Sequence, residues 1–207
     1  MMNPILKWLR VATSKTGHGL ITDSPKPPEN MTTEQYFGTW LPGEMGKYLG
    51  RLHKNGISAQ MAHTQNWSAV GTLYDISSNF TPTNKESFLR DDIRYTYTSI
   101  NSLLNPQLGN YLETNFPELA WEAKRNFLQS YYQERFQRNI TAADLIDLYK
   151  TTLLKNEVIR HIAQYHLPGS GLPEAKYYTE HSEEIVEKIA IPLGISINRK
   201  QLGNSIF

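Results

Sequence analysis

Apolar positions recur along most of this chain with the period of a helix. Met45, Tyr48, Leu49 and Leu52 fall at i, i+3, i+4 and i+7, which puts them on one helical face, and Asn55-Gly56 follows as a stop signal. Leu89, Ile93, Tyr97, Ile100 and Leu104 keep the same period from about Asn84 onward. A third run after Phe116-Pro117 carries Trp121, Phe127, Leu128 and Tyr131 and predicts a long helix to about Arg138, since proline suits the first helical position. Between the first two runs the period changes to two. Ile57, Ala59 and Met61 alternate with polar residues, and so do Val70, Thr72, Tyr74 and Ile76. This pattern predicts an antiparallel β-hairpin over about 57–76.

Local punctuation sets the remaining bounds. Asn3-Pro4 predicts a first helix to about Ala12, and the glycines and prolines of 14–31 predict an extended loop. Thr32 with Gln35 fits a capping box. The short helix it opens is expected to break at Pro42-Gly43. Thr141 with Asp144 caps another long helix, expected to reach about Tyr165 as the central helix of the fold. Leu167-Pro168-Gly169-Ser170-Gly171-Leu172-Pro173 reads as a linker, and beyond it Glu183–Ile191 predicts one short helix. The expected fold is α+β and mainly α-helical, a multi-helix core with a small β-hairpin. Its domain is 1–167, its linker 168–173 and its C-terminal arm 174–207.

Composition narrows the chemistry by exclusion. The 207 residues include no cysteine, so disulfides, thiolate metal sites and thiol nucleophiles are ruled out. Lys and Arg total 21 against 20 Asp and Glu. A net charge of +1 supplies no long-range field for nucleic acid or anionic membrane. Lys124, Arg125, Arg135 and Arg138 share their helix with Glu118, Glu122 and Glu134, a mixture of signs that reads as a solvated face and not a nucleic-acid surface. No run approaches the roughly 20 apolar residues of a membrane span, and Lys7 and Arg10 interrupt the apolar stretch at the start. The expectation is a cytoplasmic protein.

The motifs that carry chemistry elsewhere fail here on spacing. Gly43-Glu44-Met45-Gly46-Lys47-Tyr48 lacks both the four residues between glycines and the hydroxyl after lysine that a phosphate loop needs, leaving helix-start glycines and a solvated lysine. Gly169-Ser170-Gly171 lacks the strand-turn-helix setting of a serine nucleophile. Glu157 and His161 share a helical face but make half a metal site at best, so no metal and no cofactor are expected. The pairs Asp91-Asp92 and Glu183-Glu184 read as first-turn acids that complement helix dipoles.

Two amphipathic segments remain: a first helix bearing Trp8 and Leu9 with Ile5, and an arm bearing Ile185, Val186 and Ile189. These five, Trp8, Leu9, Ile185, Val186 and Ile189, are the candidate partner-binding residues, suited to docking a helix or extended segment of another protein. The 23 aromatic residues supply interface-type side chains in quantity. The sequence therefore points to a non-enzymatic protein-interaction module: an adaptor, a chaperone-like protein or an assembly subunit. The alternative is a hydrolase-like enzyme whose site assembles only in space, with His53, His63, His161, Glu157 and Asp75 as its polar members.

Overall fold

A computed structural model describes residues 26–59, 67, 71–73, 81–83, 85–103, 111–153 and 182–203. The chain divides into two compact units, residues 1–138 and 139–207. The division lies well before the 168–173 linker expected from sequence, and that linker falls outside the described residues.

Unit 1 begins with the capping box at Thr32. The Thr32 amide donates to Gln35 Oε1 at 3.0 Å, and the Gln35 amide donates to Thr32 Oγ1 at 3.2 Å. The chain then runs through a π-helical segment, Gln35–Trp40, directly into helix α1, Leu41–Lys54. The expected break at Pro42-Gly43 does not occur. Pro42 sits at the start of α1, where a missing N–H costs least. An ordinary helix would have Pro42 bond the Gly38 carbonyl. That carbonyl instead accepts from Asn126 Nδ2 at 2.9 Å. A side chain 88 residues away thus repairs the defect that makes proline a breaker. At the other end Gly56 takes a φ of 68°, the left-handed conformation that ends helices.

Among the described residues, helix α2, Glu86–Ile100, the short α3, Tyr111–Asn115, and the long α4, Pro117–Phe136, are the other helices of unit 1. Helices α1 and α4 run in parallel and almost touch along their backbones. A side chain at Gly46 would collide with the Phe127 carbonyl, and its Cβ would lie 2.9 Å from the Tyr131 nitrogen. At Gly50 a Cβ would lie 3.0 Å from the Tyr131 carbonyl. Gly46 and Gly50 are therefore packing positions inside α1, and Gly46 is not a helix-start glycine; Gly43 lies in the first turn of α1. Lys47 is half exposed and pairs with Glu44 at 2.7 Å. The core of unit 1 joins Met45, Leu49 and Leu52 of α1, Leu89, Ile93, Tyr97 and Ile100 of α2, and Phe127, Leu128 and Tyr131 of α4, all buried.

The β-structure differs from expectation. Strand β1, Ile57–Ser58, pairs antiparallel with β2, Thr81–Pro82, in the register Ile57–Pro82 and Ser58–Thr81. Trp67 and Leu73 form one isolated antiparallel bridge. A hairpin over 57–76 is not confirmed, because the partner of β1 comes from beyond its predicted second strand. Most of that second strand lies outside the described residues.

Unit 2 opens on the second capping box. The Thr141 hydroxyl accepts from the Asp144 amide at 3.3 Å, and Asp144 Oδ2 accepts from the Thr141 amide at 2.9 Å. Helix α5, Ala142–Leu148, passes into a π-helical segment, Tyr149–Leu153. Residues 182–185 are helical and continue as a π segment, Val186–Ala190, and a single 3-10 turn, Ile191–Leu193. A short helix α6, Arg199–Gly203, follows. The expected helix at 3–12 and the continuation of the Thr141 helix beyond Leu153 to Tyr165 lie outside the described residues.

A chain ended at Arg138 is expected to unfold cooperatively on heating, because each unit has its own set of contacts. Circular dichroism checks this. A featureless melt would show that unit 1 depends on residues beyond 138.

Candidate functional site

The polar centre of unit 1 is His53, in the last turn of α1. Its ring is enclosed by α2, α4 and β1, and the side chains of His53 and Asp92 have no exposed surface. His53 Nε2 lies 3.1 Å from Asp92 Oδ2, and Nδ1 lies 2.8 Å from the Tyr131 hydroxyl. The same Asp92 oxygen accepts from the Ser58 hydroxyl at 2.8 Å and the Ala59 amide at 2.7 Å. Tyr131 accepts in turn from Arg135 Nη1 at 2.6 Å, and Arg135 Nη2 reaches Glu86 Oε2 at 3.2 Å.

The direction of this chain is set from its carboxylate end. The Asp92 oxygen only accepts, so the imidazole Nε2 carries the proton directed at it. In the neutral ring Nδ1 then holds a lone pair and accepts the Tyr131 proton, while the Tyr131 oxygen accepts from Arg135. Burial pushes the His53 pKa below its ordinary value, outweighing the hydrogen bond and charge of Asp92, which act the other way; Arg135 adds to the lowering and Glu86 opposes it. Burial also pushes the Tyr131 hydroxyl up, so it stays protonated.

These contacts do not make a nucleophile. An activated serine gives its proton to the imidazole, whose other nitrogen is held by the carboxylate. Here Ser58 bonds the carboxylate directly, and tyrosine occupies the second imidazole nitrogen. The arrangement binds three helices and a strand together, with one carboxylate oxygen satisfying three donors. The sequence reading of Asp91-Asp92 as first-turn dipole partners is corrected: both lie in the second turn of α2, where Asp91 pairs with Arg94 at 3.1 Å and Asp92 points into the core. The signal for this was present: Asp92 and Thr96 occupy i+3 and i+7 from Leu89, inside the apolar stripe.

A second buried charge lies farther along α4. Lys124 Nζ sits 4.3 Å from the Trp121 ring centre and 5.0 Å from that of Tyr97, and 3.6 Å from Glu113 Oε1. The two ring faces and the carboxylate together offset the cost of removing the ammonium from water.

Among the sequence candidates, Ile185, Val186 and Ile189 are buried in this structure, so their face is already covered. Trp8 and Leu9 lie outside the described residues. Of the alternative enzyme's members only His53 is described, whereas His63, Asp75, Glu157 and His161 fall outside. The residues that meet His53 are ones the sequence did not single out for chemistry. Among the described residues no group of three or more His, Asp or Glu is placed to hold a metal ion, and no helix is long and apolar enough to cross a membrane. Among the described residues, the large apolar side chains that reach the surface are Phe88 and Tyr95 of α2, Phe116 before α4 and Phe136 at its end, with Ile191 in unit 2. Comparison with family models, with curated proteins and with solved structures finds no match to this chain.

Proposed function

We propose that this chain is a non-enzymatic, cytoplasmic protein-interaction module, an adaptor or assembly subunit that binds another protein through surface aromatic residues. The observation that carries the reading is the sealing of the His53–Asp92 pair. The most organised polar group of unit 1 has no exposed side-chain surface and is connected for holding helices together. The surface, by contrast, presents large aromatic side chains. Phe88 and Tyr95 lie seven residues apart on one face of α2, and Phe136 is 42% exposed. Aromatic residues dominate the energetics of protein interfaces.

The test is a pair of substitutions in the full chain, Phe88→Ser with Phe136→Ser, followed by native mass spectrometry of complexes purified from expressing cells. The wild-type chain is expected to carry one stoichiometric protein partner. The double variant is expected to lose it, with affinity reduced about 30-fold or more and an unchanged melt, since an aromatic anchor contributes about 2 kcal/mol or more. Retention of the partner by the double variant would refute the assignment of this surface.

A further inference from the structure

We propose that His53 is an acid-sensitive latch: protonation of its Nδ1 breaks the hydrogen-bond chain that joins α1, α2, α4 and β1, and unit 1 loosens as the pH falls from neutral to mildly acidic. The chain runs one way only. Arg135 donates to Tyr131, Tyr131 to His53, and His53 to Asp92. A second ring proton on Nδ1 would face a hydroxyl that already aims its own proton at that nitrogen. Tyr131 would have to turn its proton away, and His53 and Arg135 are the hydrogen-bond partners its hydroxyl has.

The groups facing the ring are Asp92 and Glu86 from α2, Tyr131 and Arg135 from α4, and the Ser58 hydroxyl beside Asp92 from β1. Asp92 and Glu86 favour the cation. Enclosure and the Arg135 charge oppose it, and enclosure is the largest of these effects. The folded protein thus resists a proton that the unfolded chain accepts near pH 6.5. Stability is therefore complete above that pH and declines as the pH falls through and below it. For one proton taken up only on unfolding, the unfolding equilibrium constant rises by at most about tenfold between pH 7.5 and 5.5.

Urea unfolding of the full chain at pH 7.5, 6.5 and 5.5 reads this directly. The wild type should show a rise of several-fold, up to about tenfold, and His53→Gln should flatten it. Because His53→Gln can disrupt the core, a second variant keeps His53 as the sole histidine, with His18, His63, His161, His166 and His181 all changed to Gln. That chain should retain the full response, and it decides the matter alone if His53→Gln fails to fold. An undiminished response in folded His53→Gln, or its loss in the single-histidine chain, would overturn the proposal.

Discussion

Gly46→Leu is expected to abolish the cooperative unfolding of unit 1. Helices α1 and α4 approach so closely there that even a methyl group would strike the Phe127 carbonyl and press on the Tyr131 nitrogen. Both obstacles are backbone, so no rotamer change relieves them, and the helices must separate. Overpacking in a dense core costs about 1–3 kcal/mol when side chains can shift, and more when they cannot. Separating α1 from α4 would also pull His53 from Tyr131. Gly43→Ala is the internal control, one turn earlier on the same helix. Its Cβ would meet only Ser130 Oγ, at 3.4 Å, an ordinary contact. Replacing a helical glycine by alanine stabilises by up to about 1 kcal/mol, so this variant should melt at or slightly above the wild-type temperature. Circular-dichroism melts of both chains decide the point. Equal melting of Gly46→Leu and wild type would show that the two backbones are not in contact.

The second large effect is expected at Asp92. Asp92→Ala leaves three enclosed donors without their acceptor: His53 Nε2, the Ser58 hydroxyl and the Ala59 amide. Breaking a buried polar pair on one side costs about 3–5 kcal/mol. At about 2–4 °C per kcal/mol for a chain of this length, unit 1 should melt about 6–20 °C lower. Asp92→Asn keeps an acceptor oxygen, so its loss should be clearly smaller. If the alanine variant melts within two or so degrees of wild type, the network contributes little to the fold.

The parts of this fold that could be read from sequence are those decided within one turn of chain. Both capping boxes, Thr32 with Gln35 and Thr141 with Asp144, form as their spacing implies. Pro117 starts α4, and Asn55-Gly56 ends α1. The failures are non-local. Nothing near Pro42 announces that Asn126 will bond the carbonyl its ring leaves open. Alternation within 57–76 cannot reveal that β1 pairs with Thr81–Pro82. The polar centre draws on residues 53, 58, 92 and 131, which meet only once three helices have packed. Two signals were nonetheless visible. Gly46 and Gly50, at i and i+4, mark a helix face stripped for close approach. An aspartate within the stripe of Leu89, Ile93 and Tyr97 marks a buried acceptor that must have donors.

The central proposal, that the polar centre of unit 1 holds the fold rather than performing chemistry on a ligand, rests on the state of the His53 ring. Nitrogen-15 NMR of the imidazole reads that state directly. The structure predicts a neutral ring at pH 7 with its proton on Nε2, a slowly exchanging Nε2–H signal, and a strong correlation to the Asp92 side of the site. A ring that exchanges rapidly with water and titrates at the ordinary histidine value would contradict the account, because such an imidazole is open to solvent and free to serve as an acid or base.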